Sequence, residues 1–140
     1  EFMPLTRGNI PLCEAFLSDW YAAFGELTDG LLAEKAAIAT AFQHWETLGM
    51  TGGAIVEAGK VLGFTYGATE APNMFAVHIE KAARSVTGAY PALSQCLAKT
   101  LPDSVTVLNR EEDLGIPGLR KAKSEWAPCA RNEKGWMTMQ

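Results

Sequence analysis

A change of hydrophobic period near residue 50 limits the folds open to this chain. Ahead of it apolar residues recur at steps of three and four, the mark of amphipathic helices; behind it they alternate, the mark of half-buried strands. Cys13, Phe16, Leu17, Trp20 and Phe24 make the stripe of a first helix, with Asn9 as N-cap, Pro11 in the first turn and Gly25 at the end. The spacing predicts a second helix over residues 31–48, with Leu31, Ile38, Phe42, Trp45 and Leu48 on its apolar face and Gly49 as the stop. His44 lies beside that face and reads as a packed or surface histidine.

Residues 53–57 and 60–66 then read as strands joined by a tight hairpin at Ala58-Gly59, and Gly63 inside the second marks a bulge or a close neighbour. Residues 67–72 read as turns. A third strand is expected over 73–80, with Phe75, Val77 and Ile79 on one face and Met74, Ala76, His78 and Glu80 on the other. A loop from Lys81 to Gly88 feeds a helix through Leu101, with Pro91 confined to its first turn. A strand over 105–109 and a helix opening at Pro117 follow, and residues 129–140 read as a short strand or loose tail.

Composition narrows the functions. A chain of 140 residues, 48% hydrophobic and 20% charged, suits one globular domain. Its net charge of -4 and pI near 5.2 provide no broad basic surface, so no DNA partner is expected. Cys13, Cys96 and Cys129 are odd in number and lack C-x-x-C spacing, and His44 and His78 stand apart, so neither a disulfide framework nor a metal site is expected. Reduced thiols imply a cytoplasmic setting. No apolar run approaches the ~20 residues that span a bilayer, so this segment is not expected to insert in a membrane. Glu1-Phe2 ahead of Met3 reads as a scar of expression, or as the interior of a longer protein.

From Val105 to Trp126 the chain reads VTVLNREEDLGIPGLRKAKSEW. Acids precede the last helix and Arg120, Lys121 and Lys123 lie towards its end, as the helix dipole favours. Leu119, Ala122 and Trp126 fall on one face that can pack. On charge pattern alone this is a capped strand-to-helix connection. Its wording, however, resembles the signature of an uncharacterised bacterial domain family related to the C-terminal domain of phosphatidylglycerol lysyltransferases. The resemblance extends to Leu48-Gly49-Met50-Thr51-Gly52-Gly53, Gly59-Lys60, Val77-His78-Ile79-Glu80-Lys81-Ala82 and Gly88-Ala89-Tyr90. It implies the GNAT-like acyltransferase fold over residues 3–128: an α+β, three-layer α/β/α arrangement, a mixed sheet with helices on both faces, shortened at its ends.

Topology and resemblance converge on the same candidate residues. A strand, crossover helix and strand in one sheet make a parallel unit, and ligands settle at the carboxyl ends of such strands. Those ends carry His78, Glu80 and Lys81, then Asn109, Arg110, Glu111 and Glu112. His78 and Glu80, sharing a face, read either as a catalytic base with its orienting partner or as a buried hydrogen-bonded pair. Asn109, Arg110 and Glu111 read as substrate-binding or loop-ordering residues. By resemblance, the loop with Lys81, Arg84, Thr87, Gly88 and Ala89 is where acyltransferases cradle the pyrophosphate of acyl-CoA. Thr87 stands where their first glycine belongs; in lysyltransferase relatives the donor is an aminoacyl-tRNA. Relatives also end the signature with Ser-Tyr-His-Pro, where this chain has Glu125-Trp126-Ala127-Pro128. Neither indole nor methyl exchanges a proton, so Trp126 reads as packing or a stacking platform. Two functions remain open: a transferase moving an acyl or aminoacyl group to an amine or hydroxyl, and a non-catalytic half-domain that binds a ligand or partner. A homodimer or a paired GNAT-like half is the expected partner, since an uncovered sheet edge invites pairing.

Overall fold

The structure, a computed structural model, describes residues 1–132, 135, 137 and 138. Its elements are β1 (Phe2–Pro4), α1 (Ile10–Ala22), α2 (Asp29–Gln43), β2 (Thr51–Glu57), β3 (Lys60–Ala71), β4 (Met74–Ala82), α3 (Ala89–Thr100), β5 (Val107–Asn109) and α4 (Pro117–Ser124). The five strands form one sheet in sequence order, antiparallel through β4 and parallel between β4 and β5. The chain divides into two compact units, Glu1–Asn109 and Arg110–Gln140. No helix among the described residues is long and apolar enough to cross a membrane.

Local chemistry explains where the elements differ from expectation. α2 starts two residues early because Thr28 Oγ1 accepts the Leu31 N–H at 3.3 Å. It ends at Gln43, not Leu48. Gly49 takes a φ of +62°, which lets the Met50 N–H close back on the Trp45 carbonyl at 3.0 Å. Trp45 therefore stays in the core at 5% exposure, while Leu48, expected beside it, stands 46% exposed. Asn9 precedes α1 as expected, but its amide donates to the Pro4 carbonyl at 2.8 Å and makes no cap bond to the helix.

Two strand segments escaped the periodicity. β1 is three residues long, too short to alternate, yet Phe2 pairs with Ile55. Gly53 makes room for it, since a Cβ there would lie 2.2 Å from the Phe2 ring. Residues 67–71 continue β3 where turns were expected. Gly67 is a close-approach residue, because its Cβ would lie 1.8 Å from the Ala76 carbonyl oxygen. Gly63 is likewise pressed against a neighbour, Lys81 O, at 2.7 Å from its would-be Cβ. The expectation for residues 129–140 falls partly outside the described residues; those described there form no helix or strand.

Helices cover both faces of the sheet. On one, Cys13, Leu17 and Tyr21 of α1 and Ile38 and Phe42 of α2 pack with Ala54, Phe64 and Tyr66. On the other, Leu93 and Leu97 of α3 meet Ala82, Phe75 and Val77. Burial, reinforced by Glu14, pushes the Cys13 thiol from an ordinary 9.0 up to about 12. The native thiol thus stays protonated where the unfolded one ionises, and the unfolded state binds fewer protons above pH 9. Stability is whole below that value and falls as pH rises towards about 12. Urea midpoints measured across that window should decline less steeply in Cys13→Ala than in the parent chain.

Candidate functional site

The site is built on a fault in β4. Tyr66 of β3 pairs with Ile79, but its neighbour Gly67 pairs with Val77, so His78 is an extra residue in β4. The bulge breaks the alternation. Phe75 and Val77 point to α3, whereas Ile79 packs with the α1–α2 core. His78 and Glu80 therefore do not share a face, contrary to the sequence reading. His78 lines a cleft on the α2 side with Tyr66 and Ile79, and the Glu80 carboxylate accepts the Ser94 hydroxyl of α3 at 2.8 Å.

The cleft has a volume of about 470 Å³. α2 contributes Ala37, Thr40 and Ala41, and the turn after it contributes Leu48 and Met50. The turn that follows the early end of α2 thus forms part of its wall. Beside it, β5 pairs with Met74, Phe75 and Ala76 alone. Among the described residues no strand covers the edge of β4 from Val77 to Ala82. The bulge stands next to the point where the two parallel strands part, beyond the carboxyl end of β5, and ligands of open α/β sheets settle at such strand ends.

Lys81, expected at a cofactor, is committed elsewhere. Its ammonium lies 2.6 Å from Glu34 Oε1 of α2 and 4.1 Å from the centre of the Trp20 ring. The Tyr21 hydroxyl donates to the same carboxylate oxygen at 3.1 Å. Burial first, and then the Glu34 charge and hydrogen bond, hold the Tyr21 hydroxyl well above the usual phenol range. Trp20 Nε1 donates to the Ala82 carbonyl at 3.0 Å, so the end of β4 is stitched to α1 and α2. The sequence reading missed Glu34, though it falls three residues after Leu31 and four before Ile38, on the apolar face of α2.

In the following loop the Arg84 guanidinium stacks 4.3 Å from the Phe24 ring centre and remains exposed. Gly88 is the N-cap of α3 with φ 80°, a conformation that suits glycine. Thr87 is exposed and outside the left-handed region. Ala89 is buried, and its N–H donates to the Val86 carbonyl. Arg84, Thr87 and Gly88 are thus exposed, while Lys81 and Ala89 are buried. Asn109, at the end of β5, donates from Nδ2 to Glu70 Oε2 across β4 at 2.9 Å. Glu70 sits at a second irregularity, in β3, hidden from the sequence by the turn-like composition around it.

The second unit is a folded loop on a short helix. Lys123 Nζ donates to the carbonyls of Arg110 and Glu112 and bends the backbone around itself, with Glu111 between them at φ 53°. Arg120 Nε donates to Asp113 Oδ2 at 2.7 Å, and Asp113 Oδ1 accepts the Gly115 N–H at 2.9 Å. Two of the three basic residues towards the end of this helix thus hold the loop together. Leu119, Ala122 and Trp126 are exposed, not packed as expected. The Arg110 guanidinium lies 5.5 Å from the Trp126 ring centre. The Arg120 hydrogen bond, with help from the Gly115 N–H, lowers the Asp113 carboxyl from 3.8 to about 2. The pairing is complete above pH 4 and is lost as pH falls through about 2. An NMR titration should show the Arg120 Nε–H losing its exchange protection in that window.

A mixed five-stranded sheet of this order, helices on both faces and a bulged β4 parting from β5, defines the GNAT acyltransferase class of fold. Solved structures agree. A ribosomal-protein-alanine N-acetyltransferase from Brucella melitensis biovar Abortus 2308 superposes with a TM-score of 0.68 at 16% identity, over 99% of each chain. AAC(6')-Iy, in complex with a bisubstrate analogue, CoA-S-monomethyl-acetylneamine, does so with a TM-score of 0.67 at 7% identity, over 100% of this chain and 97% of that one. The expected fold is borne out. Residues 1–136 match the family described as phosphatidylglycerol lysyltransferase, C-terminal, and the chain belongs to that family. A conserved protein of unknown function from Bacteroides thetaiotaomicron VPI-5482 is 37% identical, with a TM-score of 0.88 over 93% of this chain. This chain spans 44% of that protein's length. No curated protein matches it.

Proposed function

We propose that the domain transfers an acyl or aminoacyl group to an amine or hydroxyl acceptor, with His78 as general base. The observation that carries this reading is the bulge, which turns His78 into the apolar cleft at the parting of β4 and β5. Its imidazole takes the proton as the acceptor attacks the acyl carbonyl. A strand N–H on the edge of β4 steadies the oxyanion, and collapse expels the thiol or hydroxyl of the donor, which receives the proton. Glu80, bonded to Ser94, shapes the α3 side and is not the base. Arg84, exposed beside the start of α3, supports an acyl-CoA donor, as does the coenzyme A analogue carried by AAC(6')-Iy. The family's name supports a lysyl-tRNA donor.

The two donors separate in one experiment. Calorimetric titration with acetyl-CoA and free coenzyme A, beside radiolabel transfer from acetyl-CoA and from lysyl-tRNA, should give binding and turnover with one of them. Absence of transfer from either, in a folded sample, would sink the transferase reading. A second reading is then favoured by the share of the Bacteroides protein that this chain spans: a non-catalytic half that binds a companion GNAT-like half or a second copy. The free thiols of Cys13, Cys96 and Cys129 support a reducing, cytoplasmic setting.

A further inference from the structure

We propose that the acceptor brings a small, uncharged, apolar arm into the cleft beside His78, with a single amine or hydroxyl at its reacting end. This rests on the transferase reading. At about 470 Å³ the cleft is of small-molecule size. Ala37, Ala41, Leu48, Met50 and Ile79 give it apolar walls, and no carboxylate belongs to its lining among the described residues. The acids nearest in sequence are engaged elsewhere. Glu34, one turn before Ala37 on α2, takes both Lys81 and Tyr21. Glu46, in the turn after α2, pairs with Arg7 at 2.8 Å, and Glu80 bonds Ser94 on the opposite face.

A polycation entering this space would give up water and meet no counter-ion. Methylenes would gain from burial instead, with roughly three- to fourfold tighter binding for each one enclosed. Thr40, Tyr66 and His78 supply what polarity the cleft has, so an acceptor with one polar end fits and one polar throughout does not.

Binding tests this separately from transfer. The protein, labelled with 13C at its methionine methyls, is titrated with n-alkanols from ethanol to hexanol and with spermidine, following the Met50 methyl by NMR. Affinity should rise with each methylene, and spermidine should bind more weakly than hexanol. Ala37→Leu fills the cleft from an exposed helical position at little cost to folding, and should weaken hexanol at least tenfold with the urea midpoint unmoved. Affinity flat with chain length, spermidine tighter than hexanol, or an unaffected Ala37→Leu would each overturn the proposal. Length-dependent binding in a protein that transfers nothing would keep the apolar site and retire the transferase reading.

Discussion

Replacing His78 with glutamine is expected to slow transfer by about 10²–10⁴-fold, the usual weight of a general base, while the unfolding midpoint stays where it was. The side chain is exposed at a bulge and lines the cleft, so little of the core depends on it. Glutamine keeps much of the shape and loses the proton exchange. Glu80→Gln is the control: its carboxylate faces α3, so transfer should persist while the Ser94 contact weakens. A variant at Glu80 as inactive as that at His78 would return the base to the carboxylate.

Glu34→Gln is expected to be the most destabilising substitution considered. The Lys81 side chain is 10% exposed and that of Glu34 is 30% exposed, so losing the carboxylate strands an ammonium with water on almost no side. Breaking such a pair costs about 3 kcal/mol or more. Lys81→Met should cost less, because methionine can still pack on Trp20 and the remaining carboxylate can reach both water and the Tyr21 hydroxyl. Combining Glu34→Gln with Lys81→Met in one chain should recover much of the loss, since no charge is then left buried alone. Chemical denaturation of the parent, the two single variants and the double variant gives the coupling directly. Equal losses from the two single substitutions would contradict the asymmetry of burial.

The parallel unit of β4, α3 and β5 was legible because each part carries its own local signal: alternation, Pro91 in a first turn, and a short apolar run before Arg110. The left-handed turn at Gly49 was legible too, through the preference of glycine for that conformation, although α2 ends earlier, at Gln43. What the sequence hid are relations between strands. Nothing in the wording of residues 74–80 marks His78 as an extra residue, since the letters alternate without a break and only the register with Tyr66 and Gly67 exposes the fault. Lys81 looked like a loop cation because its partner, Glu34, lies 47 residues earlier on another element. Leu119 and Trp126 have helical spacing whether or not a neighbour covers them, so spacing alone cannot report their exposure.

The bulge also acts as a phase shifter for everything after it. Because side chains alternate, a strand that kept His78 but lost the bulge would carry Ile79, Glu80, Lys81 and Ala82 each to the opposite face. The lysine would arrive beside α3 with its counter-ion on the far side of the sheet, and Glu80 would turn towards the cleft. Taking out His78 itself would instead close the ladder, with Val77 still on Gly67 and Ile79 still on Tyr66, and would leave the later side chains on their present faces. The register of this strand, shifted by one extra residue, carries as much information as its letters.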